Sequence, residues 1–154
     1  MILRAGQPSE SREIREWIMK HHYTRSAPPG YRVALEFLEG HDRVGAMLLG
    51  RPAARTLDYT RWLELTRMYF VDEAPKNTES RGLAMMRRWV RVWMPEIKAL
   101  LAYSDPAAGH QGTVYAADNW ARFGLTRNSQ IGWRTRPNRR DETPSRKVRW
   151  VRSP

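Results

Sequence analysis

The sequence predicts an α/β protein built on a mixed sheet, and three observations carry that expectation. The first is a hairpin signal at Gly40-His41-Asp42 between two apolar runs. The second is an amphipathic segment from Asn77 to Trp93, helical in its period and followed by an apolar run. The third is a polar elbow, Tyr103-Ser104-Asp105-Pro106-Ala107-Ala108-Gly109-His110-Gln111-Gly112-Thr113-Val114-Tyr115, set between that run and another amphipathic segment. A hairpin that feeds a strand–helix–strand unit implies a sheet that is antiparallel first and parallel in its second half.

The elements follow in order. Residues 1–5 read as a short strand. Ser9 or Ser11 caps a helix running to His21, with Ile14, Trp17, Ile18 and His21 on its apolar face. Residues 24–30, with Pro28 and Pro29, form a loop. Residues 31–38 and 43–49 are the hairpin strands, and 50–60 are irregular. Residues 62–71 form a strand in which Leu63, Leu65, Arg67, Tyr69 and Val71 share one face. Asn77 or Thr78 caps the next helix, whose stripe is Leu83, Met86, Trp89/Val90 and Trp93, and Pro95 ends it. Residues 97–103 form a strand and 113–123 a helix closed by Gly124. Short strands follow around 125–126, 131–135 and 148–151.

Composition narrows the function classes. The chain has 154 residues, enough for one domain with a real core. It has no cysteine, which excludes disulfides, thiolate zinc sites and a cysteine nucleophile. Residues 1–11 lack the apolar run of a signal peptide, and no apolar stretch reaches ~18 residues, so a cytoplasmic protein that crosses no membrane is expected. The net charge of +11 is uneven, since residues 127–154 alone contribute +7, nearly all of it arginine. Arginine's planar fork suits phosphate, so a polyanionic partner, nucleic acid first, is the natural reading beside a merely solvated tail. The phosphate-gripping candidates are Arg134, Arg136, Arg139, Arg140, Arg146, Lys147 and Arg149.

Four clusters carry candidate chemistry. The turn from residue 72 into the helix at Asn77-Thr78-Glu79-Ser80-Arg81-Gly82 is a candidate anion site or an ordinary capped helix. Arg67 sits among apolar strand residues. It is a clamp for phosphate or carboxylate, or a structural partner of Glu64, Asp58 or Glu36. His22 and Tyr23 fall where the first helix ends, where His21 continues the apolar face. At the elbow, Asp105 is fixed at a strand end by Pro106, as a turn-former or as a reacting carboxylate. Tyr115 lies in the first turn of the following helix, His110 is flanked by glycines, and Tyr103, Ser104 and Thr113 can tie the elbow together.

The element order over residues 1–135 resembles the acetyl-CoA-dependent N-acetyltransferase (GNAT) fold. Residues 136–154 then form a basic C-terminal extension. In that fold the loop at Asn77, Ser80, Arg81 and Gly82 holds the pyrophosphate of coenzyme A, and this chain keeps one glycine of the usual pattern. A tyrosine placed like Tyr115 often protonates the leaving thiolate. More specifically, His22-Tyr23, Leu65-Thr66-Arg67, Asn77-x-x-Ser80 and Tyr103-Ser-Asp-Pro…Gly-His-x-Gly-Thr-Val-Tyr115 resemble the Mom family of phage DNA-modification proteins, divergent relatives of the acetyltransferases. The stretch 50–55, Gly-Arg-Pro-Ala-Ala-Arg, belongs to the same resemblance.

The resemblance implies conversion of adenine in double-stranded DNA to N6-carbamoylmethyladenine, which masks host restriction sites, in the host cytoplasm if the chain is phage-encoded. It implies an acetyl-CoA or related donor and an iron ion, Fe(II). Asp105 and Tyr115 would sit at the reacting centre with His22 and Tyr23, the same four serving as metal ligands. Arg67, Asn77, Ser80, Arg81 and Gly82 would line the cofactor pocket. A homodimer is a further expectation. An adenine stacked in a duplex must be flipped out, and Tyr31, Tyr59, Trp62 and Trp133 are candidates to receive it. The alternatives are a GNAT-type N-acetyltransferase acting on a protein or small-molecule amine, and a non-catalytic DNA-binding module.

Overall fold

The computed structural model describes residues 1–27, 30–126 and 146–154. In chain order its elements are β1 (Ile2–Ala5), α1 (Pro8–His21), β2 (Val33–Glu39), β3 (Asp42–Gly50), β4 (Trp62–Phe70), α2 (Thr78–Trp93), β5 (Ala99–Ser104), a 3-10 turn (Pro106–Ala108), α3 (Thr113–Ala117), β6 (Ala121–Leu125) and β7 (Val148–Arg152). The seven strands form one sheet in the order β1-β2-β3-β4-β5-β7-β6.

Each element has a local cause. Pro8 occupies the first helical position of α1, where no N–H is needed. The cap is therefore Gln7 and neither serine: the Glu10 carboxylate accepts the Gln7 N–H at 2.9 Å, and Ser11 Oγ donates back to the carbonyls of Gly6 and Gln7. The hairpin turns at Gly40, whose φ of 60° suits a residue without Cβ. Helix α2 starts after Asn77, itself left-handed, and buries Leu83, Met86 and Val90. Each such burial removes about 1.5–3 kcal/mol of apolar exposure. Trp93, expected on that stripe, is exposed.

The helices cover opposite faces. Ile14 and Ile18 of α1 pack on Ala34, Ala46 and Leu48. The larger core lies under α2 and joins Leu35, Phe37, Met47, Leu49, Leu63, Leu65 and Phe70 to Leu100, Trp120, Val148 and Trp150. Across from α2, the buried Glu36 carboxylate is held by Arg4 and Arg43.

Three sequence expectations are corrected. In β4, Leu49 faces Leu65 but Leu48 faces Arg67, so Thr66 is an extra residue, a β-bulge. The bulge reverses the alternation. Leu63 and Leu65 face α2, whereas Arg67 and Tyr69, opposite Leu48 and Ala46, face α1. Second, the helix expected over 113–123 stops at Ala117. Asn119 is left-handed, and Ala121–Leu125 pairs with β7, with Gly124 (φ 84°) at a register irregularity. Third, among the described strands only β4 and β5 are parallel; β5, β7 and β6 pair antiparallel. Within residues 136–154, β7 is an interior strand, with Val148 and Trp150 buried in the main core. The strand expected at 131–135 lies outside the described residues.

Candidate active site

The parallel pairing of β4 with β5 lasts only from Trp62–Leu65 against Ala99–Ala102. Beyond it, Arg67–Phe70 stay paired with β3, while Tyr103 and Ser104 stay paired with β7. The two strands part, and the wedge between them opens a cavity of about 850 Å³. His22, Tyr23, Arg67, Asp105 and Tyr115 all reach its wall, from four different segments of the chain.

At the end of α1 the backbone of His22 turns extended (φ −67°, ψ 140°), with its N–H on the Ile18 carbonyl. The imidazole Nδ1 accepts the Thr24 N–H at 3.2 Å. Thr24 Oγ1 lies closer, 2.9 Å from the same Nδ1, and itself donates to the Ser26 carbonyl. Burial, then the charge of Arg67, then His110, lower the His22 pKa from 6.5 to about 4. The ring is neutral throughout the physiological range. Because the unfolded chain binds this proton more tightly, the fold loses stability as pH falls from about 6.5 to about 4, and the loss levels off below that. Urea unfolding across this window should show that slope, and His22→Gln should remove this part of it.

Tyr23 is half exposed and lies between two imidazoles, 4.4 Å from the His22 ring and 4.4 Å from the His110 ring. His110, the third elbow candidate, is thereby joined to the His22–Tyr23 pair. His21 is not core: it is exposed, stacked on Tyr69 at 5.5 Å and tilted against Trp17 at 4.9 Å, and it too borders the cavity.

At the elbow Asp105 closes β5, and its carboxylate accepts the Ala107 N–H at 3.1 Å, so it does form the turn as well as face the cavity. Gly112 (φ 81°) lets the chain pass flat against Trp150, where a Cβ would lie 2.4 Å from the indole. The Trp150 Nε1–H donates to Ser104 Oγ at 2.9 Å, fixing β5 to β7 behind the elbow. Tyr115 packs between Trp120 (5.4 Å) and Trp150 (5.8 Å), and burial pushes its phenol above the usual tyrosine range. It is a neutral O–H donor and no anion.

Arg67 donates to the Ser26 carbonyl at 2.8 Å and to the Thr66 carbonyl at 2.7 Å. It straps the segment after α1 onto β4 and keeps a fixed positive charge beside His22. Of the carried-over cofactor residues, Asn77 is the α2 cap, Ser80 Oγ donates to its carbonyl at 3.1 Å, and Arg81 is exposed. Gly82 is buried with the Phe70 ring so close that a Cβ would approach to 2.4 Å, which gives it a packing reason. From this turn it is Glu79 that reaches the cavity wall, its carboxyl pushed up by burial.

Sequence reading assigned no site role to Glu64. It is 8% exposed, lines the cavity, and accepts the Ala53 N–H at 2.7 Å through Oε2. Burial pushes its carboxyl up, and desolvation together with Glu64 pushes up the Tyr103 phenol across the wedge. The available signal was a carboxylate between Leu63 and Leu65, the same anomaly that singled out Arg67.

The implied iron finds no support, although its four carried-over residues line the same cavity. Among the described residues no group of three or more His, Asp or Glu side chains could hold a metal. Of the phosphate-gripping candidates, Arg134, Arg136, Arg139 and Arg140 lie outside the described residues, as does Trp133. Arg146 donates to the Thr126 carbonyl, Lys147 borders the cavity, and Arg149 donates to the Leu125 carbonyl beside Phe123. Tyr31, Tyr59 and Trp62 are away from the cavity wall. No helix among the described residues is long and apolar enough to cross a membrane.

Solved structures share this fold. An acetyltransferase of the GNAT family from Streptococcus pneumoniae superposes with a TM-score of 0.67 at 7% identity, covering 99% of this chain and 98% of that one. The ribosomal-protein-S5-alanine acetyltransferase of Vibrio fischeri gives 0.66 at 9% identity, covering 98% and 91%. An aminoglycoside 6'-N-acetyltransferase complexed with coenzyme A gives 0.67 at 9% identity, covering 99% and 97%. At these identities the likeness is one of fold. In sequence, the chain is 28% identical over 115 residues to the methylcarbamoylase Mom of Escherichia phage Mu, covering 70% of this chain and 48% of that protein. The chain thus spans about half the length of this curated relative. The pattern of the Mom protein family matches residues 7–147, nearly the whole chain, including the His22-Tyr23 pair, Arg67 and the elbow. On that match the GNAT-like wedge described above is that of a member of the Mom protein family.

Proposed function

We propose that this chain is a DNA-modifying transferase that converts adenine to N6-carbamoylmethyladenine, with an acetyl-CoA-related donor, and so shields phage DNA from host restriction. The observation that carries the reading is the convergence of His22, Tyr23, Asp105 and Tyr115 on one open wedge in a Mom-family chain. A cavity of about 850 Å³ has room for a purine beside a donor group. Reaching an adenine amine in a duplex means extruding the base, at a few kcal/mol of lost stacking. The rings of His22, Tyr23 and His110 offer a surface that offsets part of it.

The exocyclic amine of adenine is a poor nucleophile, and it must shed a proton as its new bond to carbon forms. Asp105, fixed by the Ala107 N–H at the cavity edge, is placed to take or orient that proton. Tyr115, kept neutral, is placed to give one to the departing group. His22, also neutral, lines the same cavity. For the step to balance, the coenzyme A-related donor would carry the carbamoylmethyl group on its sulfur, so that the N6–CH2 bond forms as the C–S bond breaks and the thiolate leaves. Nucleoside mass spectrometry on plasmid from cells expressing the chain tests the reading. The expected result is a new adenine adduct; unmodified DNA despite folded protein overturns it.

A further inference from the structure

The β3–β4 connection, residues 51–61, takes no part in the chemistry above, yet it is tied to the site. Its Ala53 lines the cavity and donates its N–H to the buried Glu64. The rest of the loop closes on itself: Leu57 N–H bonds to Ala54, and the Asp58 carboxylate accepts both the N–H (2.9 Å) and the hydroxyl (2.6 Å) of Thr60. A loop held at both places presents its outward side chains in a fixed position. Those include Arg51 and Arg55, both exposed. The Arg51 guanidinium lies 4.2 Å over the exposed ring of Tyr59, which orients its fork without neutralising it. Neither arginine is paired with a carboxylate among the described residues, whereas Arg4, Arg12, Arg32, Arg43 and Arg87 all are.

We infer that this loop is a second phosphate-binding rim for duplex DNA, with Arg51 and Arg55 gripping the backbone on the β4 side of the wedge. Lys147 and Thr126, next to β7, border the same cavity as Ala53. A nucleotide rotated out of a duplex leaves phosphates on both its 5′ and 3′ sides. Cations on both rims hold those phosphates while the base occupies the cavity between them. The Ala53–Glu64 hydrogen bond sets the loop's distance from that base. The contacts fix position and carry no sequence information. The inference rests on the reading that double-stranded DNA is the substrate.

The test is fluorescence anisotropy of a labelled DNA duplex over a salt series, comparing the wild-type chain with the Arg51→Gln/Arg55→Gln double variant. Two lost phosphate contacts should make the slope of log K against log salt shallower by about 1.8. Arg12→Gln, on α1 and paired with Glu16, is the control and should leave the slope unchanged. A double variant that melts like wild type but keeps the wild-type slope overturns the rim and leaves the DNA reading standing. A wild-type chain that binds no duplex overturns both.

Discussion

Replacing Asp105 with asparagine should lower the adenine adduct by about 100-fold or more, the usual scale for removing a positioned proton acceptor. The melting temperature should stay within a few degrees of wild type. Asparagine keeps an oxygen that can accept the Ala107 N–H, so the turn after β5 survives while the carboxylate is lost. Asp105→Ala removes both and should add a modest destabilisation, of about 0.5–2 kcal/mol, from the lost cap. The pair of variants separates two roles that coincide in the wild-type structure. An asparagine variant that modifies DNA at the wild-type rate reduces Asp105 to a turn-former. Nucleoside mass spectrometry and thermal circular dichroism read the two effects independently.

The largest loss of stability is expected from Asp118→Ala. The Asp118 carboxylate follows α3 and is buried. It accepts Arg87 Nε and Nη2, each at 2.8 Å, and the Trp120 Nε1–H at 2.9 Å. One side chain thus binds α2 to the turn that leads into β6, and Arg87 in turn is held above its ordinary pKa by that hydrogen-bonded partner. Alanine would leave a largely buried guanidinium and an indole N–H without their acceptor. Breaking a buried pair from one side costs about 3–5 kcal/mol. At the usual ~2–4 °C per kcal/mol for a chain of this size, the melting temperature should fall by roughly 10 °C. Differential scanning calorimetry checks it, and a shift below about 2 °C would show that the turn does not need this bond.

Much of the architecture was legible because local and tertiary signals agree. Helix α2 carries its cap residue, its apolar stripe and its proline stop within one stretch, and Thr78–Trp93 is the helix expected. The hairpin carries its own turn at Gly40. The failures share a different cause. Trp120 and Phe123 are three residues apart and look helical, but the partner that makes residues 121–125 a strand is β7, beyond a long intervening segment. The Thr66 bulge leaves the composition of β4 unchanged and shows only in its register with β3, so the face of Arg67 was misread. At the site, His22, Tyr23, Asp105 and Tyr115 could be picked out as polar residues at element ends. Glu64 carried the same signal as Arg67, a charge among apolar strand residues, but the cavity it lines exists only once β4 and β5 part. The iron ligand set came from resemblance alone, and among the described residues no group of three or more His, Asp or Glu side chains supports a metal.

The position of β7 between β5 and β6 has a consequence for how the molecule assembles. Those two strands meet only through residues 148–152, so neither can complete its hydrogen bonding until that segment is available. A growing polypeptide can form the β1–β4 meander early, from near neighbours, but it leaves β5 with a bare edge until the ribosome has released β7. Contacts that distant in sequence close slowly. The wedge therefore takes shape after the β1–β4 meander, and the arginine-rich segment has already been synthesised by then.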